Sequence, residues 1–235
     1  MGTLILVRHG QASFGAADYD ELSELGHEQS RQLGRWWAER GFVPDQVYVG
    51  PCKRHRQTEA CVAEIYKDTE HAWPQAVELT DLDEYDADQL LQKGLPELLQ
   101  RRPDLQRELE RFQERGQDAN KGFQRVLEAA GRAWARGELM APGLRTWMDF
   151  RLTVERGVRT MLKKAPKGAT VVAFTSGGPL AAAAGMSLEL GNEKTLELSW
   201  QPYNAALARF LFSSSGRFTL QTFNTTDHLR DLTHR

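Results

Sequence analysis

Short apolar runs bounded by turn residues alternate with longer amphipathic stretches along most of the chain. Residues 3–8 form the first apolar run, 47–49 form a shorter one, and 170–174 form a strongly β-type run. Near-continuous apolar runs of this length are typical of parallel strands that are buried on both faces. Their alternation with helical segments predicts an α/β fold with a mostly parallel central sheet.

Helical segments follow these runs at the spacing that such a fold requires. Ser23 is a suitable N-cap for a helix that extends to about residue 40, and a second helix is predicted over 53–67. A third helix is predicted over 147–162. An Ala-rich helix follows the 170–174 run, with Pro179 in its first turn.

The segment 86–136 differs from its surroundings because it is polar, helical in composition and free of strand-like runs. Within it, residues 116–122 predict a loop between helices. Residues 205–212 and 218–223 predict a closing β-hairpin. We therefore predict one three-layer α/β/α domain over residues 1–235, with 86–136 as a helical cap insertion.

Composition narrows the class of protein. The formal net charge of −2 gives no reason to expect nucleic-acid binding. The apolar run at the N-terminus is too short for a signal peptide or a membrane span, so no membrane partner is expected. Cys52 and Cys61 cannot form a disulfide framework and indicate free thiols in a reducing compartment. We expect a cytoplasmic protein, and the sequence leaves its oligomeric state open.

The strongest candidate for chemistry lies where the first predicted strand ends, in Arg8-His9-Gly10. Open α/β sheets bind ligands beyond the carboxyl ends of their strands. A histidine at this place can act as a nucleophile, a base or a metal ligand. It can equally be an ordinary surface residue at the end of a strand, and the rest of the chain must decide.

Several segments, in the right order, resemble the histidine phosphatase superfamily, also called the phosphoglycerate-mutase-like family. Arg8-His9-Gly10 is similar to its Arg-His-Gly signature. Residues 50–58, GPCKRHRQT, resemble its Ser-Pro-x-x-Arg-Ala-x-Gln-Thr segment, and 82–84 resemble its Leu-x-Glu segment. Residues 22–29 look like its Leu-Thr-x-x-Gly-x-x-Gln helix start. Asn204 and residues 224–229 resemble its C-terminal strands.

The resemblance implies a phosphatase that hydrolyses a phosphate monoester through a phosphohistidine on His9, without a metal or organic cofactor. Arg8 and Arg54 would bind the phosphate dianion, which a planar guanidinium matches well. Their charges should lower the pKa of His9 and keep it neutral for attack. Glu84 would donate a proton to the leaving oxygen, although an acidic run such as 81–86 is often simply solvated.

Further residues would bind the substrate, a small phosphorylated molecule or a phosphoprotein. Gly10, Gln11 and Ser13 are expected to contact the phosphate or line its entrance, and an ordinary polar loop is an equally good interpretation. Mutase activity is less expected, because residues 11–22 lack the Asn-rich, Trp-containing loop of the glycolytic mutases. The basic cluster that follows the acid in those mutases is also missing after Glu84.

One departure from the family stands out. Thr175-Ser176-Gly177-Gly178 occupies the place of the family's Ser-His-Gly-Gly, so Ser176 replaces a second histidine. One interpretation is that Ser176 with the Gly177 and Gly178 amides forms an anion-binding nest at a helix N-terminus, which favours retained but weakened activity.

The alternative is that Thr175 or Ser176 merely caps the helix. The chain would then be a degenerate phosphate-binding or interaction protein with little or no turnover. The sequence predicts no substitute for the missing histidine. Neither His55, which neighbours Arg54, nor His228, near the C-terminus, is expected to reach the site.

Overall fold

A computed structural model of the chain describes residues 1–13, 20–114 and 119–233. Within these residues, six strands form one sheet. The strands are β1 (Gly2–Arg8), β2 (Gln46–Val49), β3 (Ala76–Glu78), β4 (Thr170–Thr175), β5 (Leu207–Phe212) and β6 (Phe218–Thr225). Their order is β3-β2-β4-β1-β5-β6. The first four are parallel, and β5 and β6 are antiparallel neighbours at one edge. The predicted mostly parallel sheet and the closing hairpin are therefore confirmed.

Helices occupy both faces of the sheet. They are α1 (Glu24–Ala38), α2 (Lys53–Tyr66), α3 (Leu95–Arg101), α4 (Pro103–Glu114), α5 (Ala119–Ala135), α6 (Trp147–Lys164), α7 (Gly177–Leu188) and α8 (Asn192–Ser199). Ser23 caps α1 as expected, because its side chain accepts a hydrogen bond from the amide of Gly26. No helix in the described part of the chain combines the length and apolar character that a membrane span needs.

Alternate side chains of β1 divide the core into two parts, because successive residues of a strand point to opposite faces. Ile5 and Val7 pack with Leu33 of α1 and Val62 of α2 on one face. Leu4 and Leu6 face the other way and share a larger cluster with Phe150 of α6 and Leu180 of α7. The three layers predicted from the sequence are thus helix, sheet and helix.

The helical segment between β3 and α6 contributes to this larger cluster. Leu98, Leu105, Ala130 and Trp134 are buried in the same cluster as Leu4. The predicted loop over residues 116–122 is wrong for 119–122, because α5 already begins at Ala119. Residues 116–118 lie outside the described part of the chain.

Candidate active site

The carboxyl ends of three neighbouring strands meet at one edge of the sheet. β1 and β4 pair with Arg8 opposite Thr175, and β2 and β4 pair with Val49 opposite Phe174. Because parallel strands end at the same edge, the segments that follow them leave the sheet side by side. His9 is the first residue after β1.

The backbone fixes His9 from several directions. Its amide donates a hydrogen bond to the carbonyl oxygen of Thr175 at 2.8 Å, and its carbonyl oxygen accepts one from the amide of Ala205 at 3.0 Å. The next amide, that of Gly10, donates to the hydroxyl of Thr58 at 3.1 Å. His9 is therefore held in place by four elements: strands β1 and β4, helix α2 and the segment that leads into the closing hairpin.

The imidazole of His9 is oriented for attack by Nε2. Its Nδ1 lies 2.6 Å from the carbonyl oxygen of Gly10. Since a carbonyl only accepts, Nδ1 carries the proton and Nε2 carries the lone pair. Burial, followed by the charges of Arg8 and Arg54, holds the pKa of His9 well below its ordinary value. The ring is therefore neutral at neutral pH, as nucleophilic attack requires.

Arg54 lies in the first turn of α2 and points into the site. Its Nη1 donates to the carboxylate of Asp20 at 2.6 Å, and its Nη2 donates to the hydroxyl of Ser176 at 3.4 Å. Only 12% of its side chain is exposed. Arg54 therefore faces the interior of the site and not solvent.

Arg8 approaches the same space from the end of β1. Its Nη1 donates to the carbonyl oxygen of Pro202. Gly177 lies beside it, and a side chain at position 177 would collide with the backbone of Ser199. The charges of Arg8 and Arg54 both lower the pKa of His9 and oppose the raised pKa of Glu84. The two guanidinium groups thus lie close to both residues.

Glu84 is held against the N-terminus of α7. Its Oε2 accepts a hydrogen bond from the amide of Gly178 and its Oε1 from the amide of Tyr85, each at 3.0 Å. Burial raises the pKa of Glu84 despite these donors and the nearby arginines. The other acids of the run have different partners: Asp81 pairs with Arg156, Asp83 accepts the amide of Glu84, and Asp86 accepts the amide of Gln89.

Gly10, Gln11 and Ser13 occupy the turn between His9 and α1. A side chain at position 10 would collide with the backbone of Gly26, so this turn packs directly on α1. The side-chain oxygen of Gln11 accepts a hydrogen bond from the hydroxyl of Ser23 at 2.8 Å. Ser13 is half-buried. A phosphate contact by any of these three remains a prediction, and residues 14–19 lie outside the described part of the chain.

Neither hydroxyl at the start of α7 caps that helix. Thr175 donates to the carbonyl oxygen of Leu82 at 2.6 Å, and the side chain of Ser176 makes no capping hydrogen bond. The interpretation that one of them merely caps the helix is therefore wrong. The proposed anion nest also needs revision, because the amide of Gly178 already donates to Glu84.

His55 is the functional residue that sequence analysis missed. Its Nε2 lies 2.6 Å from the hydroxyl oxygen of Ser176, and its ring centroid lies 5.8 Å from that of His9. The expectation that no other histidine reaches the site was wrong. The signal was available, since His55 stands at the Ala of Ser-Pro-x-x-Arg-Ala-x-Gln-Thr, next to Arg54. Two departures from the family, at positions 55 and 176, meet in space.

Comparison with known proteins shows the family of this chain. The model of the histidine phosphatase superfamily (branch 1) matches residues 4–138, more than half of the chain. The 2,3-bisphosphoglycerate-dependent phosphoglycerate mutase of Chelativorans sp. (strain BNC1) is 37% identical over 70 residues. That match covers 27% of this chain and 34% of the mutase, about a third of its length.

Solved structures share the fold across nearly the whole chain. A mycobacterial glucosyl-3-phosphoglycerate phosphatase has a TM-score of 0.63 at 19% identity, with 96% of this chain and 99% of that chain covered. Bacillus stearothermophilus YhfR has a TM-score of 0.67 at 16% identity, covering 97% and 100%. The phosphoserine phosphatase of Entamoeba histolytica has a TM-score of 0.62 at 17% identity, again covering 97% and 100%. The sheet, the His9 edge and the matched segments together lead to one conclusion: this chain belongs to the histidine phosphatase superfamily, branch 1.

Proposed function

We propose that this protein is a phosphatase that hydrolyses a phosphate monoester through a phosphohistidine on His9. The observation that carries the proposal is the neutral imidazole of His9, with its Nδ1 held by Gly10 and two half-buried arginines, Arg8 and Arg54, beside it. A phosphate dianion needs such fixed positive charge, and a nucleophilic histidine needs a free Nε2.

The reaction has two steps. The lone pair of His9 Nε2 attacks phosphorus while the bond to the leaving oxygen breaks, and Glu84 gives that oxygen its proton. Water then attacks the phosphohistidine, the carboxylate of Glu84 takes its proton, and inorganic phosphate leaves from a restored site. The raised pKa of Glu84 favours the protonated form that the first step needs.

A small phosphorylated molecule is the proposed substrate. The structural neighbours include a glucosyl-3-phosphoglycerate phosphatase and a phosphoserine phosphatase, both named for small phosphate esters. Hydrolysis is preferred over mutase activity, because the mutase relative matches only a short segment and the mutase-type basic cluster after Glu84 is absent from this sequence.

The test is hydrolysis of an aryl phosphate by the wild type, by His9→Ala and by His71→Ala, a half-buried histidine outside the site. We expect turnover in the wild type and in H71A, and none above background in H9A. Radiolabelled phosphate from the substrate should be trapped on the wild-type protein in an acid-labile, base-stable bond. Equal background rates in the wild type and H9A would contradict the proposal and leave a phosphate-binding protein.

A further inference from the structure

Three departures from the family segments occur together around one imidazole. Gly50 stands at the Ser of Ser-Pro-x-x-Arg-Ala-x-Gln-Thr, His55 stands at its Ala, and Ser176 stands at the second histidine. In the structure His55 Nε2 and Ser176 Oγ are 2.6 Å apart, although 121 residues separate them in the sequence. The first two departures come from the end of β2 and the start of α2, and the third follows β4.

The three residues depend on one another sterically. A side chain at position 50 would collide with Nδ1 of His55, so the imidazole fits only because Gly50 has no Cβ. The space that the ring fills lies directly against Ser176, which is fully buried, as His55 is. A histidine at 176 beside His55 would have no room in this packed interior. The imidazole thus comes from position 55, where the family segment has Ala, and a serine stands at position 176, where the family has its second histidine.

The surroundings of His55 hold its imidazole neutral and aimed at Ser176. Burial and the charge of Arg54 keep its pKa well below the ordinary value. Nδ1 faces the backbone of Gly50, and it has no hydrogen-bond partner of normal distance and angle among the described residues. A buried lone pair without a donor costs less than a buried N–H without an acceptor, which favours the proton on Nε2.

The hydroxyl of Ser176 then receives two donors. With the proton of His55 on Nε2, that nitrogen donates across the 2.6 Å contact, and Nη2–H of Arg54 donates at 3.4 Å. Both lone pairs of Oγ are engaged by these groups, so its own proton is left to donate to a third group. The ring of His9 lies 5.8 Å from that of His55, the imidazole that contacts this hydroxyl. A phosphoryl oxygen bound at His9 is an acceptor of the required kind.

We propose that His55 and Ser176 act as a unit in place of the family's second histidine, and this rests on the proposed phosphatase function. Ser176 donates its hydroxyl proton in a hydrogen bond to the phosphoryl oxygen. His55, as a positioning residue, donates Nε2–H to Ser176 and fixes the direction of that hydroxyl. The site thereby keeps the donor that replacement of a histidine by serine alone would have weakened.

A double-mutant cycle tests the unit. His55→Ala and Ser176→Ala should each lower kcat by about 100-fold, the effect of losing one transition-state donor, and the H55A/S176A double variant should lose little more. His55→Gln keeps an N–H donor at the position of Nε2 and should retain most of the turnover that H55A loses. Wild-type turnover in H55A, or losses that multiply in the double variant, would overturn the proposal.

A binding measurement separates this proposal from the phosphatase proposal. If the wild type hydrolyses no aryl phosphate, the same variants are compared for affinity to orthovanadate by calorimetry, with H71A as the control. Weaker orthovanadate binding in H55A and S176A, and near wild-type binding in H55Q, would support the unit even then. Equal affinity in wild type, H55A and S176A would overturn it.

A spectroscopic readout covers the case in which H55A does not fold. In wild-type protein with ¹⁵N-labelled histidine, the Nε2 resonance of His55, assigned by its loss in H55Q, should show a protonated nitrogen. That resonance should shift when orthovanadate is added, because the Ser176 hydroxyl to which it donates becomes bonded to the anion. A merely structural histidine would not move, and an unchanged resonance in a protein that binds orthovanadate would overturn the proposal.

Discussion

Glu84 accepts a hydrogen bond from the amide of Gly178 at 3.0 Å, and a side chain at position 178 would collide with that same carboxylate. The proposed acid is therefore held by a helix N-terminus that approaches it as closely as a backbone can. The same contact orients Glu84 toward the site and occupies the amide that an anion nest would have used.

The first prediction follows from this contact. Gly178→Ala should displace Glu84 and lower kcat by about 100-fold, the typical effect of a misplaced catalytic group. Gly191→Ala is the matched control, because a Cβ there meets open space at the start of another helix. The kcat of both variants is measured on an alkyl phosphate, whose leaving group needs the proton of Glu84, and thermal melting verifies that both variants fold. Equal activity in the two variants would contradict the role given to Glu84.

The second prediction concerns pH. Attack needs neutral His9, so kcat/KM rises with pH through the pKa of His9, and this rise is complete below 6.5 because that pKa is lowered. Protonation of the leaving oxygen needs neutral Glu84, so kcat/KM for an alkyl phosphate falls as pH rises through a pKa that lies above 4.5. We expect a bell-shaped profile of kcat/KM with these two limbs. A profile that rises steadily from acid to alkaline pH would show that neither group has its proposed role.

The third prediction tests proton donation directly. Glu84→Gln keeps the shape of the side chain but cannot donate a proton. Its loss of kcat should be small for nitrophenyl phosphate, whose leaving group needs no proton, and at least about 100-fold for an alkyl phosphate. Asp88→Asn, an exposed neighbour in the sequence, is the control. A loss in E84Q that is independent of the leaving group would assign Glu84 to binding alone.

Much of the fold followed from apolar periodicity and turn residues, because burial on both faces leaves a clear signal in β1 and β4. Strand β3 leaves no such signal in the sequence, because it has only three residues, lies at an edge of the sheet, and contains Val77, which is 53% exposed. The start of α5 was misread as a loop because Gly116 and Gly122 suggested turns, whereas packing of the later part of that helix on the core outweighs a single glycine.

The residues of the site also differ in how well the sequence predicted them. His9, Arg8, Arg54 and Glu84 could be found because they lie in segments with a fixed order and spacing. His55 was missed although it departs from the Ala of its segment, because that departure gains meaning only through the contact with Ser176 across 121 residues. Sequence patterns are compared within one segment at a time. Positions 55 and 176 come together only through the pairing of β2 with β4 and of β1 with β4 in the folded sheet.

A fourth prediction comes from His228, which is buried and has a pKa lowered to about 4, chiefly by burial. Its ordinary value is 6.5, so the unfolded chain binds a proton between these values and the folded chain does not. The stabilising contribution is present above 6.5 and is lost as pH falls toward 4, by about 3 kcal/mol.

His228→Gln should remove this part of the acid sensitivity. Urea unfolding of the wild type and H228Q at neutral pH and near pH 4 provides the measurement. The drop in unfolding free energy should be smaller in the variant, and an identical drop would show that His228 titrates normally.

The helices between β3 and α6 bury Leu98, Leu105 and Trp134 in the same cluster as Leu4 of the central sheet. A segment that shares its interior with the sheet cannot be exchanged as an independent module without exposing that interior to water. Substitutions in this segment should therefore be tolerated at its solvent-facing positions, whereas replacement of the whole segment would first have to restore the packing beneath it.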